Sequence, residues 1–121
     1  MPKPKVTIVD DDRDTRELLS LALESEDFEV NAAANGLRLI ASLQLQRPDV
    51  ILMDVNMDQM DGFAATRAIG AEAATKAIPV VLVTSKNQKA DRVWAQMLGV
   101  KGYVTKPYTP DQILGAIAAL G

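Results

Sequence analysis

The sequence predicts an α/β protein in which helices cover both faces of one parallel, five-stranded sheet, a three-layer doubly wound architecture. Two observations support this fold class. Short apolar runs alternate along the chain with segments whose apolar residues recur at helical spacing. The run Val50–Met53 has no polar break and is followed directly by Asp54. Such a run is typical of a strand buried on both faces in the middle of a parallel sheet.

The first half of the chain alternates strand and helix. β-Branched residues predict a strand over 5–9, which ends at three aspartates, and helix one follows over about 14–25. Residues 28–33 form a second strand, whose polar side chains indicate a sheet edge. Asn35 and the glycine after it begin helix two, which Pro48 ends ahead of the central strand. The predicted apolar stripes of these helices are Leu18, Leu19, Ala22 and Leu23, and Ile40 and Leu43.

The second half begins with a loop over 55–61 that leads into helix three at Gly62. Residues 70–77 carry too weak a pattern to decide between a helix end and a loop. Residues 78–83 predict strand four, with Pro79 near its start, where a missing backbone donor is tolerated.

The last elements are helix four over about 89–98, strand five over 101–105 and helix five. Thr109 is the predicted N-cap of helix five, and Gln112 occupies the capping-box position. The predicted apolar stripes are Ala90, Val93, Trp94 and Met97 on helix four, and Ile113, Leu114, Ile117 and Leu120 on helix five.

Composition excludes several classes of function. The chain has 121 residues, which suits one domain, with 48% hydrophobic and 24% charged residues. It has no cysteine and no histidine, which excludes disulfides, thiol or histidine catalysis and metal sites built from either residue. A net charge of -3 gives no support for a nucleic-acid partner. No apolar run approaches the ~20 residues that a membrane-spanning helix needs. We expect a single cytoplasmic domain over residues 1–121.

Polar residues end four of the five predicted strands. Strand one ends in Asp10 and Asp11, the central strand in Asp54, strand four in Thr84 and strand five in Lys106. Because the carboxyl ends of parallel strands meet at one edge of a sheet, these side chains are expected to converge. Mg²⁺ would relieve the repulsion among the carboxylates. The hydroxyl and the ammonium suit the oxygens of a phosphoryl group carried by Asp54, the natural acceptor.

Five short motifs stand in the order found in one known family. They are Val9-Asp10-Asp11, Met53-Asp54, Met60-Asp61-Gly62, Val83-Thr84-Ser85 and Thr105-Lys106-Pro107. On these motifs the whole chain resembles the CheY-like receiver domains of two-component response regulators. Five motifs in register are far more specific than any one of them.

The resemblance implies a flavodoxin-like fold with strand order 2-1-3-4-5 and Asp54 as the phosphoacceptor. It implies that Asp10, Asp11, Asp54 and the backbone carbonyl of Asn56 surround Mg²⁺, for which Mn²⁺ could substitute. Catalysis by such a domain is limited to its own phosphorylation and dephosphorylation, so that it is not an enzyme acting on an external substrate.

The resemblance also assigns a switch. Thr84 and Lys106 would bind the phosphoryl oxygens, and Tyr103 matches the aromatic residue whose rotamer follows Thr84. The peptide bond between Lys106 and Pro107 would be cis, as in the family.

The sequence departs from the family at several positions. Asp58 stands where the family usually has proline, which adds negative charge near the metal, and Ser85 replaces the usual alanine. Asn56 and Lys86 occupy the two positions that tune the lifetime of the phosphoryl group, a lifetime that this pairing does not predict. The charges over 86–92 are interpreted as the solvated start of helix four.

The leading hypothesis is a stand-alone receiver that accepts a phosphoryl group from a histidine kinase or phosphotransfer protein. Its output would be a protein contact on the face formed by helix four, strand five and helix five. Residues 84–94 most resemble the twitching-motility (type IV pilus) subgroup, which would place the chain in chemotaxis-like or pilus signalling.

Three other functions are compared with this hypothesis. The chain could be a receiver cut from a larger regulator with a DNA-binding or enzymatic output domain. An aspartyl-phosphate phosphatase or mutase would need a second acid two residues after Asp54, where Asn56 cannot donate a carboxylic proton. A flavin carrier would need a phosphate loop after strand one, where three aspartates would repel the flavin phosphate.

Several residues also have structural interpretations. Asp12 and Asp14 fit a helix cap and the first-turn dipole better than metal binding. Asp61 is most simply an N-cap. Packing and switching have equal weight for Tyr103, and stripe packing is favoured for Trp94 over a role as an exposed partner-binding hot spot.

Overall fold

The computed structural model describes residues 3–120 and has five strands and five helices in alternation. The strands are β1 (Lys5–Val9), β2 (Glu29–Ala33), β3 (Val50–Met53), β4 (Val80–Thr84) and β5 (Gly102–Thr105). The helices are α1 (Arg13–Glu24), α2 (Gly36–Leu43), α3 (Gly62–Ala71), α4 (Lys89–Met97) and α5 (Pro110–Ala118).

The strands form one parallel sheet in the order β2-β1-β3-β4-β5. This arrangement confirms the predicted flavodoxin-like fold and places the polar strand β2 at an edge. β3 is the central strand, and all four of its residues are buried. In the part of the chain that the structure describes, no helix is long and apolar enough to cross a membrane.

The sheet separates two apolar clusters, since alternate residues of each strand point to opposite faces. One cluster joins Ile51 and Met53 to residues of α2, α3 and α4. The other joins Val50 and Leu52 to residues of α1 and α5. This is the three-layer packing that the uninterrupted apolar run of β3 predicts.

Helix starts agree with the predicted capping residues. The side chain of Asn35 accepts a hydrogen bond from the backbone N–H of Arg38. Asp61 caps α3 by accepting from the N–H of Ala64 at 2.8 Å. Thr109 and Gln112 form the predicted capping box at the start of α5.

The structure shows where α3 ends within residues 70–77 and where strand four begins. α3 ends at Ala71, and turns connect it to the sheet. β4 begins at Val80, two residues later than predicted, although Ile78 is buried. The carbonyl of Pro79 accepts a hydrogen bond from Ile51, but its ring nitrogen has no proton to donate, so the strand pairing starts after it.

Two predicted apolar stripes are wrong in part. Leu19 and Leu23 of α1 are buried, whereas Leu18 is 70% exposed. On α4, Val93 and Met97 of the predicted stripe are exposed, Trp94 is partly covered at 37% exposure, and the buried residue is Ala95. Periodicity identified a helix with an apolar stripe but could not decide which side of the helix the sheet would cover. The small Ala95 lets α4 lie against the apolar cluster beside β4.

Gly62, the first residue of α3, fixes how that helix meets the carboxyl end of β3. A Cβ atom at this position would lie 2.3 Å from the backbone oxygen of Asp54 and 2.9 Å from the Cα of Val55. The N–H of Gly62 also donates to the carbonyl of Val55. Only glycine allows this close approach of two backbones.

We expect Gly62→Ala to lower the free energy of unfolding by about 1–3 kcal/mol, because the added methyl overlaps backbone atoms that cannot move aside. Gly115→Ala is the matched control, since Gly115 is also in a helix and a Cβ there meets nothing within 4 Å. The control should gain up to about 1 kcal/mol from helix propensity. Urea unfolding of both variants measures the difference, and equal stabilities would contradict the assigned packing.

Candidate functional site

The carboxyl edge of the sheet brings together acidic residues from β1 and β3. Val9 and Met53 are paired in the parallel register, so the residues that follow them, Asp10 and Asp54, lie side by side. The N–H of Asp54 donates to the carbonyl of Val9 at 2.9 Å, which extends the pairing by one residue. Both aspartates are buried, with 4% and 8% exposure.

Asp11 completes a cluster of three carboxylates. One oxygen from each of Asp10, Asp11 and Asp54 lies within 4.8 Å of the others. Partial burial raises the pKa of the Asp11 carboxyl, and the charges of Asp10, Asp54 and Asp58 raise it further. This donor set, hard oxygen ligands with one exposed member, fits Mg²⁺ with room for water and a phosphate oxygen. Mn²⁺ prefers similar ligands.

Lys106 supplies the positive charge of the site. Its ammonium donates to Asp10 at 2.8 Å and to Asp54 at 3.2 Å. Burial lowers the pKa of this ammonium, but the hydrogen bonds and charges of the two aspartates outweigh burial, and the pKa lies above its usual value. The peptide bond between Lys106 and Pro107 is cis, as predicted.

Thr84 and Tyr103 both hydrogen-bond to the backbone of Lys86. Thr84 is fully buried, and its Oγ1 accepts a hydrogen bond from the N–H of Lys86 at 3.2 Å. The hydroxyl of Tyr103 donates to the carbonyl of Lys86 at 2.6 Å. Within residues 3–120, the Thr84 hydroxyl makes no hydrogen bond to Asp54 or to the Lys106 ammonium, although the backbone carbonyl of Thr84 accepts from the N–H of Lys106 at 2.9 Å. The backbone of Lys86 therefore connects the predicted phosphoryl ligand to the predicted switch aromatic.

The loop after β3 contributes backbone and charge. The N–H of Asn56 donates to Asp54 Oδ1 at 3.3 Å. The assignment of the Asn56 carbonyl to a metal remains a prediction. Asp58 is exposed, and its charge contributes to the raised pKa of Asp11, in agreement with the extra negative charge predicted there.

Asp12 acts in the start of α1. It occupies the N-cap position, but its side chain makes no capping hydrogen bond; the carboxylate accepts from the hydroxyl of Thr15 instead, which lowers the pKa of Asp12. The predicted cap is therefore confirmed in position but not in its side-chain bond. Arg16, to which no role was assigned from sequence, donates to the backbone oxygen of Asp10 at 2.8 Å. Nothing in the local pattern distinguishes Arg16 from an ordinary solvated arginine of α1.

The contacts of Arg92 could not be predicted from the sequence, because a cation near a helix start is usually solvated. Its guanidinium lies 4.6 Å from the centroid of the Tyr103 ring. It also donates to Asn87 at 2.9 Å and to Thr105 at 3.0 Å. The Tyr103 ring is therefore contacted on one face by the Arg92 guanidinium, while its hydroxyl donates to the carbonyl of Lys86. Arg92 is exposed, as the interpretation of this charged segment predicts, but its guanidinium makes specific contacts that the sequence did not predict.

Residues 6–118 match the response regulator receiver domain. The chain belongs to this family. Receiver domains are signalling modules that bind Mg²⁺ through acidic residues, and this response regulator receiver has a cluster of three aspartates.

Full-length and partial relatives both occur. The chain is 39% identical to "Protein PilH" of Pseudomonas aeruginosa over 116 residues, which are 96% of each protein. It is 34% identical to the transcriptional regulatory protein ResD of Bacillus subtilis over 96% of this chain but only 47% of that protein. The receiver thus spans nearly all of one relative and about half of another.

The structure is similar to the solved structure of the chemotaxis response regulator CheY4 of Vibrio cholerae. The TM-score is 0.92 at 30% identity, and the match covers 98% of this chain and 99% of that chain. Together with PilH, this similarity confirms the CheY-like resemblance inferred from the five motifs.

We expect Arg92→Ala to free the ring of Tyr103, because both the cation–π contact and the bond to Thr105 are lost, at a cost of about 0.5–1 kcal/mol in stability. ¹⁹F NMR of protein labelled with fluorotyrosine resolves Tyr103 from Tyr108, since the chain has two tyrosines. The Tyr103 resonance should shift and sharpen while that of Tyr108 stays. Lys89→Ala, which removes a neighbouring exposed cation, is the control. An unchanged Tyr103 resonance in Arg92→Ala would contradict the assigned contact between the Arg92 guanidinium and the Tyr103 ring.

Proposed function

We propose that this receiver takes a phosphoryl group onto Asp54 from a histidine kinase or phosphotransfer protein in the cytoplasm. The observation that carries the proposal is the ammonium of Lys106, which contacts both Asp10 and Asp54 beside a third carboxylate. An acidic cluster with one fixed cation suits a transferring phosphoryl group, whose charge both a metal and an ammonium can balance.

Asp54 is the best acceptor among the three carboxylates. Both oxygens of Asp10 are engaged at short range, by the N–H of Asp12 at 2.9 Å and by Lys106 at 2.8 Å. The bonds to Asp54 are longer, 3.3 Å from Asn56 and 3.2 Å from Lys106. A carboxylate oxygen that is less tightly held is more available for attack on phosphorus.

The proposed step is an in-line displacement. An Asp54 oxygen forms a bond to phosphorus while the bond from phosphorus to the kinase histidine breaks, and the electron pair returns to the imidazole nitrogen. Asp10, Asp11, Asp54 and the carbonyl of Asn56 would hold Mg²⁺, which when bound offsets negative charge on the phosphoryl oxygens. Lys106 would move its hydrogen bond from Asp54 to a phosphoryl oxygen.

The proposed switch runs through Lys86. If the Thr84 hydroxyl turns towards a phosphoryl oxygen, it no longer accepts the N–H of Lys86 at its present angle. The carbonyl of the same residue holds the Tyr103 hydroxyl, so a shift of this backbone changes the support of the ring. The proposed readout is a changed protein-binding surface on α4, β5 and α5.

The output pathway is proposed from the relatives. CheY4 is described as a chemotaxis protein, and the similarity to PilH agrees with the twitching-motility resemblance of residues 84–94. We propose chemotaxis-like or pilus motility signalling. The second candidate, the receiver part of a longer regulator, is favoured by the 47% coverage of ResD.

Magnesium should raise the thermal stability of the folded protein, because the carboxylates converge only in the folded state. At about ten times Kd the gain is roughly 1.4 kcal/mol. Thermal melts with and without Mg²⁺ measure it, and EDTA should reverse it. Asp11→Asn should lose most of the gain, whereas Asp14→Asn, in the first turn of α1, should keep it. Equal gains in both variants would place the metal elsewhere.

Acetyl phosphate with Mg²⁺ should add one phosphoryl group to the wild-type chain, detected by intact mass, and none to Asp54→Asn. The adduct should also form in Asp111→Asn, which changes an exposed acid of α5. Lys106→Met should lower the phosphorylation rate by about 10²-fold or more, since one preorganised charge contact is typically worth that much. An adduct of equal yield in Asp54→Asn would refute the acceptor assignment.

A further inference from the structure

Helix α4 carries an apolar stripe on its solvent side. Its members follow one another at intervals of three and four residues, which places them on one side of the helix. Val93 is 46% exposed, Trp94 37% and Met97 72%, and Ala90 is exposed as well. We call Ala90, Val93, Trp94 and Met97 the outer stripe.

The outer stripe is not the helix's contact with the core. That contact is made by the buried Ala95, with the half-buried Asp91 and Leu98 on the same side. A contiguous apolar patch that the folded domain leaves partly exposed is typical of an interaction site.

Basic side chains border the outer stripe. The exposed Lys89 begins α4 next to Ala90, whereas Arg92 and Lys101 lie on the side that borders β5. The one acid of α4, Asp91, already accepts the N–H of Gln88. Arg67, on α3, places its guanidinium 5.4 Å from the centroid of the Trp94 ring. The apolar stripe is therefore bordered by cations from two helices.

We propose that the outer stripe and Arg67 form a docking surface for an acidic amphipathic helix of a partner protein. A partner stripe of the same spacing can pack against α4, ridge into groove. Tryptophan and arginine are the residues that most often dominate binding energy, and methionine adapts its shape to a partner. Glutamate or aspartate beside the partner stripe would meet Arg67 and Lys89.

The surface differs from the face on which the switch is proposed to act. It extends from α4 towards α3, whereas Arg92 and Gln96 lie on the side of α4 that borders β5. The inference rests on the proposed function only in identifying the occupant as the output partner. The docking chemistry itself requires no phosphoryl group.

Two other occupants fit less well. A second copy that docked through its own outer stripe would bring the cations Arg67 and Lys89 of both copies together. An anionic membrane would attract these cations but would repel a chain with a net charge of -3.

The test uses two tryptophan-free, stapled helical peptides. One has leucines at i, i+3, i+4 and i+7 flanked by glutamates, and its twin has lysines in place of the glutamates. Trp94 is the only tryptophan, so its fluorescence reports binding at the stripe. We expect saturable binding of the acidic peptide with a Kd at least about tenfold below that of the twin.

Matched variants locate the binding. Met97→Glu should weaken binding of the acidic peptide by more than about tenfold, because it puts a like charge on the stripe. Arg67→Gln should weaken it less and reduce its dependence on salt. Leu18→Glu, which changes a leucine that is 70% exposed on α1, should leave binding unchanged. Both glutamate variants change exposed positions, so both should fold.

The outcomes separate the alternatives. No binding, equal Kd for the two peptides, or equal loss in Met97→Glu and Leu18→Glu would overturn the proposal. A larger Trp94 response to phosphatidylglycerol vesicles than to the peptide would assign the surface to a membrane and overturn it. Sedimentation that shows a dimer lost in Met97→Glu would assign it to a second copy. Binding that is the same in Asp54→Asn, with or without beryllium fluoride, would uphold the surface and count only against the output partner as its occupant.

Discussion

The ammonium of Lys106 between Asp10 and Asp54 is the contact on which the site depends. The parallel register of β1 and β3 brings two buried carboxylates together, an arrangement that repulsion alone would oppose. Lys106 comes from the loop after β5, two strands away from β3 in the sheet. The charges of the site are therefore balanced only when β1, β3, β4 and β5 are all in place. Formation of the site and formation of the fold stabilise each other.

A short series of contacts leads from this edge to the surface. Thr84 accepts from Lys86, whose carbonyl accepts from Tyr103, whose ring lies under Arg92. Each contact is a single hydrogen bond or ring contact of modest energy, so the series can exist in two arrangements without unfolding the sheet. In the proposed function, the rigid strands would hold the phosphorylation site, while the loop after β4 and the start of α4 would change conformation.

Helix α4 has two sides whose roles its amphipathic pattern does not reveal. Its inner side is held to the domain through the small Ala95 and through Arg92, while its larger apolar residues face outward. A helix attached by few large side chains can shift at lower cost than one anchored by leucines in the core. An exposed apolar side also gives a partner something to bind. Both properties suit the part of a signalling domain that has to move and be recognised.

The sequence by itself determined the order of the elements, the buried central strand, the capping residues Asp61 and Thr109, and the residues at the strand ends. These follow from local periodicity, local hydrogen bonding and the rule that parallel strands end at one edge. Only the tertiary structure decided that Trp94 faces solvent, that Arg92 covers Tyr103 and that Arg16 supports Asp10. Those features depend on which neighbours a side chain meets across the sheet or from another helix, and no pattern along a single segment contains that information.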